Sequence, residues 1–182
     1  MIRIAVFSVL SAPILWVSRR SLRYPASHGF ARFFAFEAIL ALILLNAPHW
    51  FVHPLGVRQL SSWLLLSLSL VLVVWGLVLL RRRGGFSPAA EISPAFEWES
   101  TERLVTTGIY GYIRHPMYSS LLFLAWGALL KSVTVSTILL GAGASLALAA
   151  TAICEEAENV ERFGQEYRDY MKRTRRFIPF LL

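Results

Sequence analysis

Apolar residues in this chain come in five long blocks, separated by short polar stretches. They run over residues 2–17, 33–50, 63–80, 116–130 and 133–153. None of them alternates with period two, so none reads as a half-buried strand. A membrane-spanning helix needs about 20 apolar residues, with about 17 to 25 tolerated. The third and fifth blocks meet that requirement, and the second meets it with its flanks. The fourth is short and must begin close to the interface. The first has Arg3 near its start, no small-x-small cleavage pattern, and Ser18-Arg19-Arg20 directly after it, so it reads as a retained helix rather than a signal peptide. The pattern therefore predicts an all-α, polytopic integral membrane protein of about five transmembrane helices. The last apolar positions, Val160, Phe163, Tyr167, Tyr170 and Met171, recur at helical spacing. They predict an amphipathic cytoplasmic segment interrupted at Gly164.

Composition supports this reading. Of the 182 residues, 56% are hydrophobic and 16% charged, whereas soluble domains carry about 25% charged residues. The net charge of +7 would raise nucleic acid as a partner in a soluble protein. Here the basic residues flank the apolar blocks, and membrane orientation explains them without nucleic acid. Fifteen Lys and Arg residues fall on one side of a five-span arrangement and three on the other. That asymmetry places the N-terminus outside and the C-terminus in the cytoplasm, of a bacterial inner membrane or an endoplasmic reticulum membrane. Cys154 is the only cysteine, so no internal disulfide exists, and no zinc-type spacing occurs. Three regions follow: scaffold helices over 1–80, an interfacial connector over 81–107 in which Phe86, Phe96 and Trp98 dip toward the bilayer, and a functional hairpin with its C-terminal cap over 108–182.

The candidate chemistry lies in that last region. Pro116 suits the first position of a helix, where no N–H is required. The positive end of that helix and the donors of Arg114 and His115 form an anion site. Thr106-Thr107-Gly108 forms a turn that folds the preceding chain over it, and Tyr110, Tyr112 and Tyr118 supply aromatic faces with polar tips. A plain reading remains beside this one, in which Arg114 touches lipid phosphate. Glu155 and Glu156 stand where the fifth helix leaves the bilayer. They call for a cation, or else form a solvated cap paired with Arg162 or Arg168. The fourth and fifth blocks are joined by a very short turn, so their cytoplasmic ends are neighbours. A zwitterionic amino acid group would fit between an anion site and a cation site held this way.

"LVTTGIYGYIRHPMY" followed by "EEAENVERFGQEYRDYMKRTRRFIPF" resembles the isoprenylcysteine carboxyl methyltransferase family and, more loosely, the membrane phospholipid methyltransferases. The resemblance covers residues 103–180. It implies S-adenosylmethionine as cofactor, with His115 at the carboxylate of its methionine moiety and Glu155 and Glu156 at the amino group. It also places Tyr110, Pro116 and Tyr118 near the cofactor and Ile178 and Pro179 over the adenine. Arg114 and Arg173 are expected at the acceptor's carboxylate, and no metal is expected. The reaction implied is O-methylation of a carboxylate on a lipidic or amphipathic acceptor. The alternatives are N-methylation of a phospholipid amine, an NADPH-dependent sterol-type reductase, and a non-enzymatic protein binding lipid or a partner. The reductase pattern has Asn where this chain has Met117 and Asp where it has Glu155. Ile109 departs from the family's usual Pro after Gly.

Two features are set aside. "GAGAS" at 141–145 lies inside an apolar helix, where Gly141, Ser145 and Ala149 recur every four residues as a packing stripe rather than a nucleotide loop. Glu37, inside the second block, is expected to snorkel to the interface.

Overall fold

A computed structural model describes residues 2–85 and 103–179. These residues form six α-helices, joined by short 3₁₀ turns: α1 (Ile2–Ser18), α2 (His28–Asn46), α3 (Val57–Arg83), α4 (Pro116–Leu129), α5 (Val135–Phe163) and α6 (Gln165–Arg173). Most of the connector falls outside the described residues, and with it the expected positions of Phe86, Phe96 and Trp98. Three helices are long and apolar enough to cross a membrane: α2 with its following 3₁₀ turn, α3 and α5. The other two apolar helices, α1 and α4, are shorter, at 17 and 14 residues.

The helices extend beyond the apolar blocks at several ends. α2 begins at His28, α3 at Val57, and α5 continues ten residues beyond the apolar run to Phe163. The extension of α5 is amphipathic: Glu158, Glu161 and Arg162 face out, while Glu156 is buried. It ends at Gly164, whose φ of 59° reverses the chain into α6. The start of α5 is fixed by a reciprocal cap. The Thr134 hydroxyl accepts from the Thr137 amide, and the Thr137 hydroxyl accepts from the Thr134 amide.

α2 packs along α5, and α3 along α4. Ala35, Ile39, Leu42, Ala125, Ala128, Leu129, Ala144 and Leu148 fill the interior. Small residues set the closest approaches: a Cβ on Gly127 would stand 2.9 Å from Leu66, and one on Gly141 would stand 2.6 Å from Leu129. The packing stripe read at Gly141 is thus a helix contact, and Ser145 adds an indole hydrogen bond from Trp126 at 3.1 Å.

Buried polar side chains tie the helix ends that lie away from Arg114 and His115. Asn46 Nδ2 donates to the Ala128 carbonyl at 2.7 Å, and Ser62 Oγ to the Gly127 carbonyl at 2.6 Å. Lys131 is fully buried. Its ammonium donates to Gln59 Oε1 at 2.9 Å and sits 3.5 Å from the centre of the Trp63 ring. Burial lowers its pKa. Ser11 Oγ of α1 donates to Glu37 Oε1 at 2.7 Å, which gives this carboxylate a partner on the neighbouring helix.

Candidate functional site

The short turn between α4 and α5 brings Arg114-His115-Pro116 and Glu155-Glu156 together at one end of the hairpin. Pro116 is the first residue of α4, as its missing N–H favours. The preceding turn is a 3₁₀ segment, Gly108–Gly111, entered through Gly108 at φ 64°. Only glycine serves there: the positive φ strains other residues, and a Cβ would stand 2.6 Å from Leu79.

Beyond α6 the chain comes back alongside this turn. The Arg114 amide donates to the Arg175 carbonyl at 2.7 Å, the His115 amide to the Arg176 carbonyl at 3.1 Å, and the Arg175 amide to the Tyr112 carbonyl at 3.0 Å. Ile113 and Arg175 form a parallel bridge. Ser119 Oγ holds the Phe177 carbonyl at 2.7 Å, and the buried Tyr170 hydroxyl donates to the Tyr110 carbonyl at 2.7 Å. Residues 174–177 thus form a strap fastened by backbone bonds to the mouth of α4.

The two glutamates have different surroundings. Glu156 is buried, and its partners are Arg114 and Arg176 rather than the nearby Arg162 or Arg168. Arg114 Nε donates to Oε1 at 2.8 Å, Arg176 Nε to Oε1 at 3.1 Å, and a terminal Arg176 nitrogen to Oε2 at 2.6 Å. The carboxylate holds Arg176 above the ordinary guanidinium pKa. Arg114 is held from two sides: besides the Nε bond to Glu156, its Nη1 donates to the carbonyls of Thr174 at 2.5 Å and Met171 at 3.2 Å. These are the terminal carbonyls of α6, where a cation is favourable.

Glu155 is half-buried and lines an open cleft. The Tyr118 hydroxyl donates to its Oε2. His115 is buried and stacks on Tyr118, with centroids 5.3 Å apart. Its Nδ1 stands 3.9 Å from Glu155, and its Nε2 stands 3.4 Å from Glu156 without making a hydrogen bond. The cleft is also lined by Tyr110, Arg114, Pro116, Tyr167, Tyr170 and Asn159, and by an apolar wall that includes Leu80, Val105, Met117 and Phe163. Burial raises the pKa of the Tyr167 and Tyr170 phenols on α6, so both are neutral at physiological pH.

Of the residues singled out in the sequence, Tyr110, Arg114, His115, Pro116, Tyr118 and Glu155 all line the cleft. Glu156 stands behind them in the ion pairs, and Ile178 packs beside Phe177 against Tyr118 and Leu148. Pro179 is half-buried next to it. Arg173 is not brought to the cleft: it is exposed, and its Nε reaches only the Asp169 carbonyl at 3.4 Å. Sequence reasoning missed Arg176, Thr174, Tyr167, Tyr170 and Asn159. Tyr167 and Tyr170 were read only as the apolar face of an amphipathic helix, which is also what buries them here. Among the described residues, no cluster of three or more His, Cys, Asp or Glu side chains could hold a metal.

Comparisons with known proteins bear on the family. Residues 57–166 match the model of a family described as phospholipid methyltransferase. A methanethiol S-methyltransferase of Pseudomonas deceptionensis is 28% identical over 151 residues, covering 76% of this chain and 56% of that protein. Methanethiol S-methyltransferase 1 of Bradyrhizobium diazoefficiens is 30% identical over 78 residues, 43% of this chain and 27% of the relative. The protein-S-isoprenylcysteine O-methyltransferase of Schizosaccharomyces pombe is 37% identical over 79 residues, 43% of this chain and 34% of the relative. The matched stretches thus span between about a quarter and just over half of these relatives' lengths.

Proposed function

The chain belongs to the phospholipid methyltransferase family, and from that premise we propose that it is an S-adenosylmethionine-dependent methyltransferase acting on a lipidic or amphipathic acceptor at the cytoplasmic face of a membrane. One observation carries the reading. The cleft places an accessible carboxylate, Glu155, beside a buried imidazole, His115, whose Nε2 makes no hydrogen bond. A buried imidazole lining the cleft next to a half-buried carboxylate is a fit for a ligand bearing both a carboxylate and an ammonium group.

When bound, S-adenosylmethionine supplies an electrophilic methyl group on a sulfonium. The chain's own residues bind, orient and exclude water. Glu155 receives the amino group while Tyr118 fixes the carboxylate's orientation. His115 donates to the carboxylate of the same moiety. The faces of Tyr110, Tyr118, Tyr167 and Tyr170 favour positive charge. Leu80, Val105, Met117 and Phe163 would keep the nucleophile dry, and Ile178 and Pro179, which follow the strap, would cover the adenine. Methyl transfer to an ionised carboxylate needs no general acid, so catalysis here is mainly positioning.

O-methylation of a carboxylate is the first acceptor reading. Methylation of a thiol or amine is the second, and a specific observation favours it. Arg114, the guanidinium lining the cleft, is already committed to Glu156 and two carbonyls, and Arg173 points away. Titration of the detergent-solubilised protein with S-adenosylhomocysteine, with NADPH as control, tests the cofactor. Binding of the first alone is expected, and binding of NADPH alone would overturn the proposal. A panel of prenylcysteines, alkyl thiols and phosphatidylethanolamine then separates the acceptor readings by which product carries the label from S-adenosylmethionine.

A further inference from the structure

The Glu-Glu pair reads in sequence as a single cation site, yet its members point to different partners. Successive residues on a helix are rotated by about 100°, and here that rotation puts Glu155 on the cleft and Glu156 behind it. Glu156 is saturated by three charge-assisted bonds from two guanidiniums. It has no need of a cation from a ligand.

Those guanidiniums come from the two backbones that meet at the site. Arg114 belongs to the mouth of α4, and Arg176 belongs to the strap. Arg176 grips both carboxylate oxygens, the fork geometry that a guanidinium makes and an ammonium cannot reproduce. The strap is in turn coupled to the site. The Arg176 carbonyl accepts from the His115 amide, and Phe177 places its ring 6.3 Å from the His115 imidazole. If the strap moves, so do the backbone and one wall of His115. The clamp also neutralises Glu156, leaving Glu155 as the uncompensated carboxylate facing the cleft. The side chain of Arg176 is 33% exposed, against 9% for Arg114 and 5% for Glu156. It is therefore the member through which the clamp can open.

We propose that Arg176 is a positioning residue: by clamping Glu156 it fastens residues 174–177 to the mouth of α4 and so sets His115 and Glu155 for the cofactor. This rests on the methyltransferase reading for the identity of the ligand, but the clamp itself can be tested without it. Amide hydrogen exchange at Arg114, His115 and Arg175 reports the backbone bonds of the strap. In Arg176→Gln and Glu156→Gln, exchange at these three amides should rise at least tenfold, and the double variant should exchange no faster than either single one. Arg168→Gln, which removes an exposed charge on α6, should leave them unchanged. Affinity for S-adenosylhomocysteine should fall at least tenfold in Arg176→Gln and recover in part in Arg176→Lys.

Unchanged exchange in Arg176→Gln, equal acceleration in Arg168→Gln, or multiplying effects in the double variant would each overturn the clamp. Unchanged affinity in Arg176→Gln would overturn its positioning role. Should Glu156→Gln fail to fold, the two Arg176 variants decide, since that side chain is partly exposed. A wild-type protein that does not bind S-adenosylhomocysteine would refute the cofactor reading, and the exchange data would still judge the clamp.

Discussion

Replacing Glu155 by Gln removes one negative charge from the cleft while keeping the side chain's size. The amide oxygen still accepts from the Tyr118 hydroxyl, so the local fold should survive. The carboxylate is about 30% exposed, which places its electrostatics between bulk water and a buried site. At 4 Å, two unit charges interact by about 1 kcal/mol in water and about 4 kcal/mol at an effective dielectric near 20. Solvent screening of a partly exposed pair lowers the upper figure. Hydrogen bonds to charged groups are worth about 1.5–3 kcal/mol net. At about 1.4 kcal/mol per tenfold, affinity for S-adenosylhomocysteine should fall by about 10- to 150-fold. Calorimetric titration measures this directly. The informative control is on the ligand: an analogue without the α-amino group should bind the wild type weakly and lose little more in Glu155→Gln. The two losses must fail to add, because the charge and the amino group are each other's partner. If the deaminated analogue suffers the full loss in the variant, Glu155 does not meet an ammonium, and the assignment of this carboxylate is wrong.

Two further outcomes follow from the buried Lys131 and from the phenols of α6. Gln59→Leu should destabilise the fold by about 1–3 kcal/mol, since it leaves the buried Lys131 side chain with the Trp63 ring but without its hydrogen-bond acceptor. Lys131→Met with Gln59→Leu should recover most of that loss, and denaturant unfolding in mixed micelles would refute the argument if the double variant were the least stable. Alkaline pH should also act through α6. Tyr167 and Tyr170 have folded pKa values above the ordinary tyrosine value of about 10. Their contribution is therefore full below pH 10 and is lost as pH rises toward the folded values. Melting temperatures should fall progressively as pH rises above about 10, less steeply in Tyr167→Phe, and an identical slope in that variant would refute the assignment.

The legibility of this chain in its sequence was uneven, for physical reasons. The start of α4 could be read because proline at a helix's first turn is a local rule. The meeting of His115 with Glu155 could be read because a very short turn between two apolar blocks allows little but a hairpin. The partner of Glu156 could not. The local alternatives Arg162 and Arg168 lie on or near the same helix, whereas the actual partners, Arg114 and Arg176, lie 42 and 20 residues away and are delivered by the mouth of α4 and by the strap. Glu37 is a similar case, because its Ser11 partner depends on how α1 crosses α2. Helix length was underestimated at α5 because the apolar run stops at Ile153 while the amphipathic face continues. The role of Arg173 was drawn from resemblance alone, and α6 turns that side chain outward.

The shortness of α4 bears on how an acceptor arrives. Its 14 residues rise about 21 Å, while the hydrocarbon layer is about 30 Å thick. Were its far end, tied by Lys131 and Asn46, to lie at the opposite interface, the mouth at Pro116 would stand below the headgroups in a bilayer of ordinary thickness. Either the membrane thins around the protein, or polar groups are drawn down toward the mouth. In both cases a long-chain acceptor keeps its tail among lipids and moves its reactive end only a short way. Bilayer thickness then becomes a control on turnover, with shorter-chain lipids relieving the mismatch.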